Sequence, residues 1–248
     1  MNCHMKYSAL LVLSVMLILA ASQPVYAGIV FVKADATGAD NGSSWEDAYT
    51  DLQDALTVGL ANDSIWVAQG IYKTSTGFGP YTSFELKNNV SLYGGFTGNE
   101  SSHEERDWVT NETILSGNSG LEEIVTDNSY NVVSAVGTDS TALLDGFTIM
   151  DGYDDRTGFL LGGGGLYASG GSPTIKNIIF TENFASYGGG LFNRYGDPKL
   201  TNVTFIRNSA GVGGGMYSRE GAALLQNVTF SENSAEKSSI SMGGGLLV

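Results

Sequence analysis

The residues with the clearest chemical potential lie in "GYDDRTG", where Asp154 and Asp155 form the chain's one Asp-Asp pair, with Asp151 before them and Arg156 after. Two carboxylates flanking a glycosidic bond can hydrolyse it, one as general acid. A Ca²⁺ ion bound by acidic oxygens, facing an arginine base, would instead suit elimination from an acidic sugar. Asp151, Asp154 and Asp155 are therefore the candidate metal ligands, with Ca²⁺ as the ion, and Arg156 is the candidate base. The spacing matches no EF-hand or nonapeptide loop. A pair of aspartates in a glycine-flanked turn is equally a solvated loop. His103, in "HEERDW", has Glu104 and Glu105 beside it but no second histidine or cysteine at zinc-ligand spacing. No phosphate-binding loop, dinucleotide fingerprint or nucleophile elbow is present, and "GGGG" at Gly162 follows no strand-to-helix pattern. No residue is thereby assigned a catalytic role, and no cofactor is required.

The elements that must carry these side chains repeat. At a 25-residue offset "PTIKNIIFTEN" at Pro173 recurs as "PKLTNVTFIRN" at Pro198 and "ALLQNVTFSEN" at Ala223. "GGGLY" at Gly163 recurs as "GGGLF" and "GGGMY", then as "GGGLL" at Gly243, five residues late. Units this short cannot bury a face alone, so they must stack. Alternation of Val203 and Phe205 around Thr204, with β-branched and aromatic residues between Gly, Asn and Pro breakers, predicts strands. The fold expected is all-β: a parallel β-helix of about seven coils. Asn177, Asn202 and Asn227 stand where the chain must bend, and in a more degenerate unit Gly146 takes their place. Both residue types tolerate positive φ, so these four positions are expected to form a ladder of structural bends.

Further upstream the pattern changes. "GIVFVKA" predicts a strand, and "SSWEDAYTDLQDALTVG" predicts an amphipathic helix with a Ser43–Glu46 capping box, placed to cover an open sheet end. Residues 1–27 combine Lys6, the apolar run "ALLVLSVMLILAA" and "VYA", the pattern of a secretory signal peptide; an uncleaved anchor is the alternative. Three segments follow: a signal peptide over 1–27, a strand and helix cap over 28–62, and the repeat body over 63–248, regular from about 162. The whole chain has a net charge of −14. Cleavage would remove the one cysteine and Lys6, leaving eleven basic residues against 26 acidic, a charge of −15. Such a surface disfavours nucleic acid and anionic lipid, and no membrane span is expected in the mature chain.

Gly-Gly-apolar-apolar alternating with Phe-x-x-Asn (Phe180–Asn183, Phe205–Asn208, Phe230–Asn233) resembles the repeats of the polymorphic outer membrane protein family. The match runs from about Gly162 to Val248, and the front part is similar to the opening of exported bacterial right-handed β-helix repeat proteins, which implies that the parallel β-helix is right-handed. The resemblance implies a secreted, cell-surface or outer-membrane protein that adheres to an extracellular glycan or to a neighbouring or host cell surface. Family members usually continue into further coils and an anchoring module, whereas this sequence stops mid-repeat. A polysaccharide lyase or glycoside hydrolase of the pectate-lyase-like class, and a passive structural spacer, stay open as alternatives. The Gly-His-Gly and Arg-Ile-Lys motifs that accompany the aspartate pair in polygalacturonases are absent. Tyr167, Phe192 and Tyr217 recur at the repeat spacing, and their neighbours Leu166, Leu191 and Met216 are apolar. Alternation predicts an outward aromatic row, a candidate binding stripe, unless the rings cover a neighbouring strand or pack inward.

Overall fold

The computed structural model describes residues 28–75, 77, 79–121, 123–156, 161–235 and 244–247. The expected signal peptide lies outside them. In chain order come β1 (Ile29–Val32), helix α1 (Leu52–Val58), β2 (Ser64–Ala68), β3 (Gly70–Lys73), β4 (Phe84–Glu85), β5 (Ser91–Phe96), β6 (Thr113–Ser116) and β7 (Val133–Ser134). Next are β8 (Leu143–Met150), β9 (Tyr153–Asp154), β10 (Leu166–Ser169), β11 (Thr174–Thr181), β12 (Phe184–Tyr187) and β13 (Leu191–Arg194). The last are β14 (Lys199–Ile206), β15 (Ser209–Val212), β16 (Met216–Arg219), β17 (Leu224–Ser231), β18 (Ser234–Ala235) and β19 (Leu246–Leu247).

All pairings between these strands are parallel, in three sheets. The first sheet runs β1-β2-β5-β8-β11-β14-β17, with β3 pairing β6 and β6 pairing β8. The second runs β4-β7-β10-β13-β16-β19 and the third β9-β12-β15-β18. From β8 onward the chain visits the first, third and second sheets in turn. Each strand then meets its counterpart one repeat later: Phe180 pairs with Phe205, Ala185 with Ala210, Leu191 with Met216. The late fourth copy is absorbed without loss of register, since Met216 pairs with Leu246. This stack of parallel strands is compatible with the solenoid that the repeat predicts.

Repetition makes the interior a set of columns. Phe180, Phe205 and Phe230 stack with centroids 4.8 Å apart and planes within 5°, next to a column of Asn183, Asn208 and Asn233. Asn183 and Asn208 are buried, and each takes its backbone N–H and side-chain amide to the next asparagine's Oδ1, at 3.2 and 2.9 Å and at 3.0 and 3.0 Å respectively. Each Nδ2 also donates to the carbonyl of a strand one rung back: Ile149, Phe180 and Phe205 in turn. The second half of Phe-x-x-Asn is thus an internal hydrogen-bond column, which keeps buried backbone carbonyls paired.

The third glycine of each Gly-Gly-Gly passes against the phenylalanine column. A Cβ at Gly190 would stand 2.6 Å from the Gly215 carbonyl oxygen and 2.7 Å from Phe205 Cδ1, whereas one at Gly170, where φ is +62°, would meet nothing within 4 Å. Gly190→Ala is therefore expected to lower stability by about 2 kcal/mol through overpacking. Gly170→Asn keeps a residue that accepts positive φ and is expected to cost less than about 1 kcal/mol. Urea midpoints at unchanged m-value check both; equal effects would mean that the glycine corner is not tightly packed.

The amino-terminal region differs from expectation. The helix starts at Leu52, capped by Asp51, whose side chain accepts from Gln53 N; the Ser43–Glu46 box does not cap it. Before it, residues 41–47 form bends and turns, and only Tyr49 is bridged to β1, since Tyr49 N donates to the Phe31 carbonyl and Lys33 N to that of Tyr49. It is this segment, 42–49, that meets the outer edge of β1, with Phe31 N bonded to the Gly42 carbonyl and Val32 bridged to Tyr49. The helix instead sends Leu52, Ala55 and Leu56 into the core.

Candidate functional site

Each long strand of the first sheet bends at its middle residue. There φ is +86° at Gly146, +51° at Asn177, +56° at Asn202 and +53° at Asn227. The three asparagine side chains hang outside the bend and bond along the stack: Asn227 Nδ2 to Asn202 Oδ1 at 2.8 Å, Asn202 Nδ2 to Asn177 Oδ1 at 3.1 Å. Asn177 Nδ2 in turn donates to Asp145 Oδ1 at 2.7 Å. A carboxylate thus terminates the amide row, and Arg106 NH2 holds it at 3.0 Å, with both side chains almost fully buried. The guanidinium also donates to the Gly94 and Asp145 carbonyls and lies 5.0 Å from the Tyr93 ring and 4.9 Å from the Trp108 ring. Burial of this charge is compensated by an opposite charge, carbonyls and aromatic faces together.

Arg106 and Trp108 reach this position on an insertion, residues 97–112, that leaves the first sheet after β5 and re-enters it at β6. In the charged run "HEERDW" the sequence gives no sign of their pairing. The signal available was the break itself: upstream, one long strand is split into β5 and β6 where later copies are continuous. The insertion is held by Trp45 Nε1 donating to the Glu100 carbonyl at 3.0 Å and by His103 packed on Tyr93, centroids 4.4 Å apart. Desolvation, and then Arg106, push the His103 pKa below its ordinary value. The folded form thus favours neutral imidazole, and its contribution to stability is lost as pH falls.

Beside the insertion lies a groove of about 440 Å³. Trp108, Val109 and Thr110 form its wall, and Thr148, Ile179 and Thr204 its floor, with Asn177 and Asn202 along the bend. Trp108, Val109 and Ile179 are solvent-exposed, at 41%, 81% and 43%. The one carboxylate among the lining residues is Glu112, whose Oε1 accepts from Thr148 Oγ1 at 2.8 Å.

The aromatic row lies elsewhere, on the second sheet. Tyr167, Phe192 and Tyr217 are in register, with ring centroids 5.9 and 5.5 Å apart. Their neighbours Leu166, Leu191 and Met216 fill the interior. Phe192 is nevertheless fully buried, and the tyrosines are half-buried. Tyr187, at the turn leaving β12, folds across the row, 6.2 Å from Phe192 and 5.4 Å from Tyr217. Pointing away from the core does not expose the middle ring, because this corner of the chain covers it.

The three aspartates are not gathered into one oxygen cluster. Asp154, fully buried, is clamped by Arg156 at 2.7 and 2.9 Å, while Asp155 is exposed. Asp151, at φ +63°, accepts from Ser116 Oγ at 2.7 Å, and burial pushes its pKa up. Asp154 ends β9 facing the interior and Asp155 follows it outside the strand, and the Asp154 charge is already paired with Arg156. Among the described residues no three His, Cys, Asp or Glu side chains are grouped so as to hold a metal. Arg156 lies 4.1 Å from the Tyr130 ring, and its pairing with Asp154 raises its pKa, opposite to what a base requires. Also among the described residues, no helix is long and apolar enough to cross a membrane. No protein-family model, curated protein or solved structure matches this chain.

Proposed function

We propose that this protein is an exported right-handed parallel β-helix of about seven coils, with repeats of the polymorphic outer membrane protein type, acting as a rigid adhesion or ligand-binding module. Its place is outside the cell or on its surface, after removal of residues 1–27. Its binding face is the groove over the first sheet rather than the tyrosine row, and it needs no cofactor to bind. The observation that carries this reading is the groove's lining: an exposed indole beside a row of amides and hydroxyls, with a single carboxylate. Such a surface recognises and holds; a hydrolase or lyase calls for paired carboxylates or a cation and base. The frame is stiff, because side chains in columns leave little freedom to lose when a partner docks.

Coating beads with the mature chain and measuring retention of extracellular surface material tests the proposal. Retention is expected to fall at least about tenfold in Trp108→Ser, measured where the variant remains folded because the indole also covers Arg106, as loss of a central aromatic contact does. New reducing ends or unsaturated products from pectin-type polymers would instead establish an enzyme.

A further inference from the structure

We infer that the ligand of this groove is an uncharged glycan lying along the stack, an inference that rests on the binding reading above. Charge excludes the acidic classes. The residues lining the groove include no Lys, Arg or His, one carboxylate sits on its wall, and the chain carries −14 overall. The Arg106 guanidinium near the wall is committed to Asp145 and two carbonyls beneath Trp108. A uronate or sulfated chain would find no partner here and would meet repulsion.

Hydrogen-bonding capacity points the same way. A carboxamide has two N–H donors and two acceptor lone pairs. Asn202 uses one donor toward Asn177 and one acceptor toward Asn227. Its remaining donor and acceptor face solvent, since the side chain is exposed. Rungs of the stack lie about 4.8 Å apart, so the row offers a donor and an acceptor at each step. An extended peptide presents groups on one face only every second residue, about 6.7 Å, out of step with that row. Its backbone would also seek a sheet edge, and this is a sheet face. A sugar carries hydroxyls, each donor and acceptor at once, on most of its carbons, and its C–H face suits the indole of Trp108.

Affinity electrophoresis through gels containing neutral polysaccharides (β-glucan, mannan) or acidic ones (polygalacturonate, alginate) tests this, at low and high salt. Retardation by a neutral polymer is expected, unchanged by salt, since no counterion is displaced. Trp108→Ala should weaken it at least about tenfold and Trp108→Phe should largely restore it. Ile179→Glu, a surface change on the groove floor, is expected to weaken it independently of any effect on the insertion. Retardation by acidic polymers alone, salt-sensitive binding, or neutral binding indifferent to both groove variants overturns the inference. If acidic or protein ligands bind and the groove variants abolish that binding, the module reading survives and only the ligand class falls. No binding to any surface material removes both.

Discussion

Replacing Asn208 with leucine is expected to destabilise the protein by about 4 kcal/mol, more than a typical substitution. Asn208 is fully buried. Its Nδ2 donates to the Phe180 carbonyl at 2.8 Å, the Ile206 carbonyl at 3.2 Å and Asn233 Oδ1 at 3.0 Å. Its Oδ1 accepts from the backbone and side chain of Asn183. Leucine fits the volume but leaves these partners unsatisfied in a dry interior, where each lost bond costs about 1–3 kcal/mol and apolar burial offsets only part. The external row supplies the contrast. Asn202→Gly removes an amide of the same type and spacing while keeping the left-handed bend, and water replaces the lost bonds. It is expected to cost less than about 1 kcal/mol. Equal losses in chemical denaturation would mean that the two columns do not differ as described.

Arg106→Leu carries the other large effect, about 3–5 kcal/mol, because it strands the buried Asp145 carboxylate without its guanidinium. The position is specific: Arg106 closes the amide row at its Asp145 end and sits between the Tyr93 and Trp108 rings. Combining Arg106→Leu with Asp145→Asn is expected to recover much of the loss, since a neutral amide still accepts from Asn177. The double-mutant cycle measures the coupling. Additive losses would show that the pair is not an energetic unit. Slower exchange of the 97–112 amides in wild type than in Arg106→Leu would show that this ion pair also holds the insertion.

These two residues mark how far the sequence could be read. Asn208 lies in a motif that repeats, so its period, its strand and its phenylalanine neighbour are all visible in "NVTFIRN". Stacking follows from the period alone, because a residue repeated in register must meet its own copy. Arg106 has no copy. Its partner Asp145 is 39 residues away, and only the three-dimensional path of the insertion brings the two together. The same limit explains Phe192, where alternation correctly separates it from Leu191 but says nothing of Tyr187 folding across from another sheet. It explains the helix too: residues 45–49 have helical apolar spacing, yet the edge of β1 takes the backbone hydrogen bonds of Tyr49, and the Glu46 and Asp47 carbonyls accept from Gly38, Asn41 and Gly42. Local pattern therefore specified the repeated body well, and the unrepeated parts, which build the groove's wall, poorly.

The most direct test of the groove as the binding face is hydrogen exchange of residues 28–248 with and without the polysaccharide that retards them. Protection is expected at residues 106–113 and along β8, β11 and β14, with the β10, β13 and β16 amides unchanged. Protection confined to those second-sheet strands would place the ligand on the tyrosine row and contradict the groove.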